Sequence, residues 1–159
     1  MVATPSTASN TGEPLEIIAF RVQDQEFCMR TTSIREIRGW SPATPIPQSP
    51  PEMLGVINLR GSVIPIIDLS RKLGMGSTTS HERSAIIVGE VHNMVVGMLV
   101  DRVSDILTVA ASSMQPVPEI STSFDKSFAE GIIAAESGMI CFLNLQRLFR
   151  DKELDDIAA

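Results

Sequence analysis

The residue types able to carry chemistry in this chain of 159 residues are few, and their spacing suits catalysis poorly. Asp101 and Asp105 stand close enough to share acid–base work if a helix carried them. They fall instead in a strand pattern and a bend, and read as strand-end and turn residues. His81 lies in a Gly, Ser and Thr loop and His92 in a predicted turn. No histidine or cysteine stands at metal-ligand spacing around either, so no metal site is expected. Gly74, Gly76 and Ser77 lack the lysine and the strand-to-helix context of a phosphate loop. Neither a nucleophile elbow nor a dinucleotide fingerprint is present. Cys28 and Cys141 both lie in apolar strand patterns and read as small buried hydrophobes, not as a disulfide. No catalytic residue and no cofactor is expected, which leaves a binding module.

Charge narrows the choice of partner. A formal net charge of −6 without a lysine or arginine run argues against nucleic acid or an anionic membrane surface as the main partner. The N-terminus has no basic start followed by an apolar core. Apolar stretches such as Met94 to Val100 fall far short of a membrane span, so a cytoplasmic protein without direct membrane insertion is expected. Hydrophobic residues make up 43% of the chain, enough for a real core. Residues 1–14 are rich in Ser, Thr, Pro and Gly and are expected to be a disordered tail. Residues 15–152 then form one domain of two β-barrel subdomains, and 153–159 a second tail.

The body reads as short strands with turn signals. Ile17 to Val22 and Glu26 to Arg30 flank Asp24 and Gln25 as one hairpin, and Ala85 to Val91 and Met94 to Val100 flank His92 and Asn93 as another. Sliding the chain so that Asp24 meets Asn93 also brings Cys28 onto Gly97, Ile34 onto Val103, Glu36 onto Asp105 and Ile37 onto Ile106. A slightly longer offset brings Pro45 onto Pro116. A longer one again brings Gly55 onto Gly131, Ile64 onto Ile140, Asp68 onto Asn144 and Arg60 onto Glu136. Each half thus reads as hairpin, extended segment with proline, hairpin and short capped helix, which predicts two similar small β-barrels. Asp68 and Asn144 are expected to cap those helices and do no chemistry.

The stretch from Gly55 to Leu69, GVINLRGSVIPIIDL, carries the functional signal. Two apolar strand patterns meet at a turn with Arg60 at the bend and Gly61 beside it. Read from physics alone, this is a buried hairpin with a solvated arginine at its tip. NLRG followed by PIIDL nevertheless resembles the signature of the CheW family, the bacterial chemotaxis coupling proteins. Further blocks fall in the same order: Ile34 to Gly39, then VVGMLVDRVSDI from Val95 to Ile106, then QPVPE from Gln115 to Glu119. The pattern departs at Cys28, where a glycine is usual.

The resemblance implies a mainly β, CheW-like fold of two five-stranded SH3-like barrels with short helices. It also implies a non-catalytic adaptor that joins the cytoplasmic tips of chemoreceptors to the regulatory domain of the histidine kinase CheA. An adaptor of the same fold in another two-component pathway, serving motility or development, is the alternative. Carried over by position, the partner-binding residues are Ile34, Glu36, Ile37, Asn58, Arg60, Gly61, Ile86, Val103 and Ile106. Arg60 is expected to be held by a carboxylate, with Glu36 the leading candidate. Ile34, Ile37, Ile86, Val103 and Ile106 are expected to floor a furrow between the barrels, and core burial is the competing reading for each. Trp40 reads as a lid over the barrel core.

Overall fold

The computed structural model describes residues 13–76, 84–117, 128–135 and 138–149. His81, Ser77, Glu119 and Glu136, and nearly all of both tails, lie outside the described residues. The strands are β1 (Pro14–Val22), β2 (Gln25–Arg30), β3 (Ile34–Gly39), β4 (Met53–Leu59), β5 (Ser62–Asp68), β6 (Ala85–Val91), β7 (Met94–Val100), β8 (Arg102–Ala110), β9 (Met114–Gln115), β10 (Ala129–Ala135) and β11 (Gly138–Leu143). Two short helices, α1 (Leu69–Lys72) and α2 (Leu145–Leu148), follow β5 and β11. Asp68 Oδ1 accepts from the Ser70 amide at 3.1 Å, and Asn144 Oδ1 accepts from the Arg147 amide at 3.1 Å. Both are the caps that the sequence predicts.

The strands form two sheets, one ordered β8-β1-β2-β11-β10-β9 and the other β3-β6-β7-β5-β4. Apart from the two-residue β9, they are copies of one topology. In each, a hairpin is flanked on one side by an antiparallel edge strand and on the other by a parallel neighbour. Even the irregularities repeat. The ladder breaks between Ile34 and Glu36 where β3 meets β6, and between Val103 and Asp105 where β8 meets β1. It breaks again between Met53 and Gly55 in one copy and between Ala129 and Gly131 in the other. A Cβ on Gly55 would lie 2.2 Å from the Thr44 carbonyl oxygen, and one on Gly131 would lie 2.5 Å from that of Gln115. Both positions therefore exclude a side chain because another backbone crosses there.

The barrels do not correspond to the sequence halves. Hairpin β1–β2 joins β8, β10 and β11 of the second half, while hairpin β6–β7 joins β3, β4 and β5 of the first. Each sheet encloses its own small core on one face, Ile57, Ile64, Ile66, Ile86 and Leu99 in one and Ile17, Cys28, Ile133, Ile140 and Phe142 in the other. The opposite faces pack together through Phe20, Phe27, Met29, Ile87, Val96 and Met98. Central strands are therefore buried on both faces, which the near-continuous apolar runs of β1, β6 and β7 reflect.

The first hairpin turn falls one residue earlier than the sequence suggests, at Gln23 and Asp24, because Val22 pairs with Gln25. Gln23 holds a left-handed φ of 56°. Tertiary contacts hold it there. Its amide N–H donates to the Asp101 carboxylate, and its side-chain Nε2 donates to Ser70 Oγ at 2.7 Å and the Met75 carbonyl at 2.6 Å. His92 occupies the matched turn, and its Nε2 lies 3.3 and 3.2 Å from the Gln146 and Phe149 carbonyls at α2. Each hairpin turn thus reaches the helix belonging to the other sheet.

Candidate functional site

Arg60 stands at the two-residue turn between β4 and β5, where Leu59 pairs with Ser62. Arg60 and Gly61 have φ of 52° and 88°, the left-handed pair that a tight hairpin of right-handed twist requires. Asn58 Oδ1 accepts from the Gly61 amide at 2.8 Å and closes the turn from within. The guanidinium then forks onto Glu36, Nη1 to Oε1 at 2.7 Å and Nη2 to Oε2 at 3.3 Å. The expected carboxylate is the one found.

Glu36 comes from edge strand β3, where it pairs with Val88, and Arg60 from the other edge of the same sheet. The ion pair therefore spans a sheet that has curled until its edges approach. The hydrogen bond from Arg60, aided by the charges of Arg60 and Arg38, holds the Glu36 carboxyl below its ordinary value, and Glu36 in turn raises Arg60. The Arg60 side chain remains 73% exposed and that of Glu36 25%. Beside the pair opens a cleft of about 800 Å³ lined by Leu59, Val63, Pro65, Met94 and Val95. Arg35, on its rim, is engaged by Glu90 at 2.9 Å.

The apolar candidates divide. Ile37 pairs with Ile87 and Ile106 pairs with Ile18, so both point to the side where the two sheets pack. On edge strands they are only partly covered, and Ile37 is 40% and Ile106 56% exposed. Ile34 and Val103, at the inner ends of those strands, are half-buried against the inter-sheet core. Ile86 is a correction. It is fully buried inside its own barrel, because β6 is a central strand with both faces covered, and it cannot floor a furrow.

Sequence reasoning passed over Val63 and Met139, each 69% exposed. They sit one residue before Ile64 and Ile140, so the repeat register itself marks them as a matched pair at the two hairpin ends. Trp40 is 39% exposed, and its backbone N–H donates to the Ser84 carbonyl. Asp105 Oδ1 accepts from the Ile106 amide at 2.8 Å and Asp101 accepts from Gln23, so each carboxylate serves the backbone. Among the described residues no group of His, Cys, Asp and Glu is placed to hold a metal ion. Burial pushes the Cys28 thiol up to about 12 and that of Cys141 to about 11, in keeping with buried, unpaired cysteines.

The CheW-like domain family matches residues 16–153. The chain belongs to this family. Among its CheW relatives, the probable chemotaxis protein CheW of Rhizobium etli is 56% identical over 138 residues, 87% of this chain and 89% of the relative. The chemotaxis protein CheW of Rhizobium meliloti is 54% identical with the same coverage. The crystal structure of the scaffolding protein TtCheW from Thermoanaerobacter tengcongensis superposes with a TM-score of 0.80 at 30% identity, covering 89% of this chain and 91% of that one. The CheW-like fold expected from the sequence, mainly β with short helices, is the fold observed.

Proposed function

We propose that this chain is a non-catalytic cytoplasmic adaptor that couples the tips of chemoreceptors to the histidine kinase CheA in chemotaxis arrays. Among the described residues no helix is long and apolar enough to cross a membrane. Association with the membrane then runs through the receptors. The observation that carries the reading is that one small body exposes two surfaces of different chemistry, with Glu36 and Ile37 on opposite faces of β3. One is the charged tip, where Glu36 holds Arg60 over an open cleft. The other is apolar, Ile37 and Ile106 exposed on edge strands β3 and β8 of the two sheets, with Ile34 and Val103 packed against the inter-sheet core.

A receptor tip offers an amphipathic helix, which apolar strand edges rimmed by charge can receive. A kinase regulatory domain of similar fold suits the hairpin tip, where a fork-geometry arginine fixes orientation. Joining both on one adaptor lets the receptor state bias the kinase through linked binding equilibria, without a chemical step. The test is a paired titration of Ile106→Lys and Arg60→Ala against a receptor tip fragment and the kinase regulatory domain. Ile106→Lys should abolish receptor binding and spare the kinase, and Arg60→Ala should do the reverse. Equal loss of both partners in either folded variant would mean that the surfaces are not separate.

A further inference from the structure

We propose that Asn58 is a positioning residue, which acts on the partner only through the conformation it imposes on Arg60. The proposal rests on the reading of the Arg60 tip as a partner surface and adds the device that aims it. Three two-residue hairpin turns among the described residues begin with a non-glycine residue in the left-handed region: Gln23 at φ 56°, Arg60 at 52° and His92 at 50°. An L-residue adopts that conformation at a cost, and asparagine or glycine is the ordinary choice there. At Gln23 and His92 the cost has a visible return, because each side chain leaves its turn to bond a helix of the other sheet.

Arg60 follows the same rule with a different target. Its head reaches Glu36 on the opposite sheet edge, and the side chain stays largely exposed. Two constraints fix the guanidinium. The fork to Glu36 sets the plane of the head, and the turn sets where the Cα stands. Asn58 governs the second, since its Oδ1 accepts from the amide of Gly61, the residue that follows Arg60. A side chain already committed to the backbone in this way shapes a turn. Loss of the Asn58 oxygen leaves Gly61, at φ 88°, free to open the turn, and Arg60 then relaxes out of the left-handed region and leaves Glu36.

The experiment measures affinity for the kinase regulatory domain in the full chain and in the N58A, N58D, R60A and N58A/R60A variants. NMR hydrogen exchange at the Gly61 amide supplies a local readout. Asn58→Ala should weaken binding by about threefold to tenfold and speed Gly61 exchange, and Asn58→Asp, which keeps the accepting oxygen, should restore both to within about twofold. In the Arg60→Ala background, Asn58→Ala should add no further loss, the signature of a residue that works through another. Additive losses would overturn the proposal by showing that Asn58 touches the partner itself. Faster exchange with unchanged affinity would overturn it too. Wild-type affinity in Arg60→Ala alone would instead bring down the underlying reading of the tip, and the inference with it.

Discussion

Ile106 and Ile86 are the same residue type in the same list of candidates, and truncating each to alanine should produce opposite phenotypes. Ile86 is fully buried among Ile57, Ile64, Ile66, Val88 and Leu99. Its loss leaves a cavity between strands that are hydrogen-bonded on both sides, so Ile86→Ala should cost about 2–5 kcal/mol of folding stability. Ile106 keeps 56% of its surface in water on an edge strand. Full burial of an isoleucine is worth about 1.5–3 kcal/mol, so roughly half of that, about 1–1.5 kcal/mol, remains to be gained when a partner covers it. At 1.4 kcal/mol per factor of ten, Ile106→Ala should weaken receptor binding roughly fivefold to tenfold. It should cost less than about 1 kcal/mol of stability. Urea denaturation gives the first quantity and calorimetric titration with a receptor tip fragment the second, with the kinase regulatory domain as control. Equal destabilisation by the two substitutions, or undiminished receptor affinity in Ile106→Ala, would refute the division of these residues into core and surface.

Three further outcomes are expected. Because Glu36 titrates below its ordinary value of 4.5, its pair with Arg60 contributes stability above that pH and loses it as the pH falls through the lowered folded value. Glu36→Gln should therefore lower neutral-pH stability slightly, as loss of an exposed pair does, and flatten the acid limb of a thermal-stability profile below about pH 4.5 by the same small amount. Gly55→Ala and Gly131→Ala should each destabilise the fold by more than about 2 kcal/mol in chemical denaturation, since each Cβ would strike the backbone that crosses there. A mild effect at only one of them would break the equivalence of the two copies. Cys28 and Cys141 should resist thiol reagents in the native state. Their thiols are raised, so the stability they hold below the ordinary thiol value of 9.0 should fall as the pH climbs toward about 11 and 12, and Cys28→Ser with Cys141→Ala should lessen that alkaline loss.

The features legible in the sequence are those fixed by neighbours along the chain. Alternating apolar residues around His92 and Asn93 or Arg60 and Gly61 define hairpins, because side-chain period and turn chemistry are local. The caps at Asp68 and Asn144 are local as well, and so is the register of the repeat, down to the equivalent positions of Gly55 and Gly131. The pair of Arg60 with Glu36 was within reach because an arginine fork at a hairpin tip can make two charge-assisted hydrogen bonds to one acid, and Glu36 stood among the residues that the family resemblance marks. The first turn fell outside that reach by one residue. What holds Gln23 left-handed is a set of bonds to Ser70, Met75 and Asp101, all distant in sequence.

Tertiary structure alone decided which barrel each hairpin enters. The two halves are so alike that β2 meets the same apolar edge in β5 or in β11, and only the folded chain shows that it takes β11. The same limit explains Ile86. Alternation separates one face of a strand from the other, yet in a molecule where each sheet has a core on both sides, either face of a central strand is buried. Exposure then depends on whether the strand lies at the centre or the edge of its sheet. That position is a property of long-range pairing, so Ile86 and Ile106 read alike in the sequence and part company only in the fold.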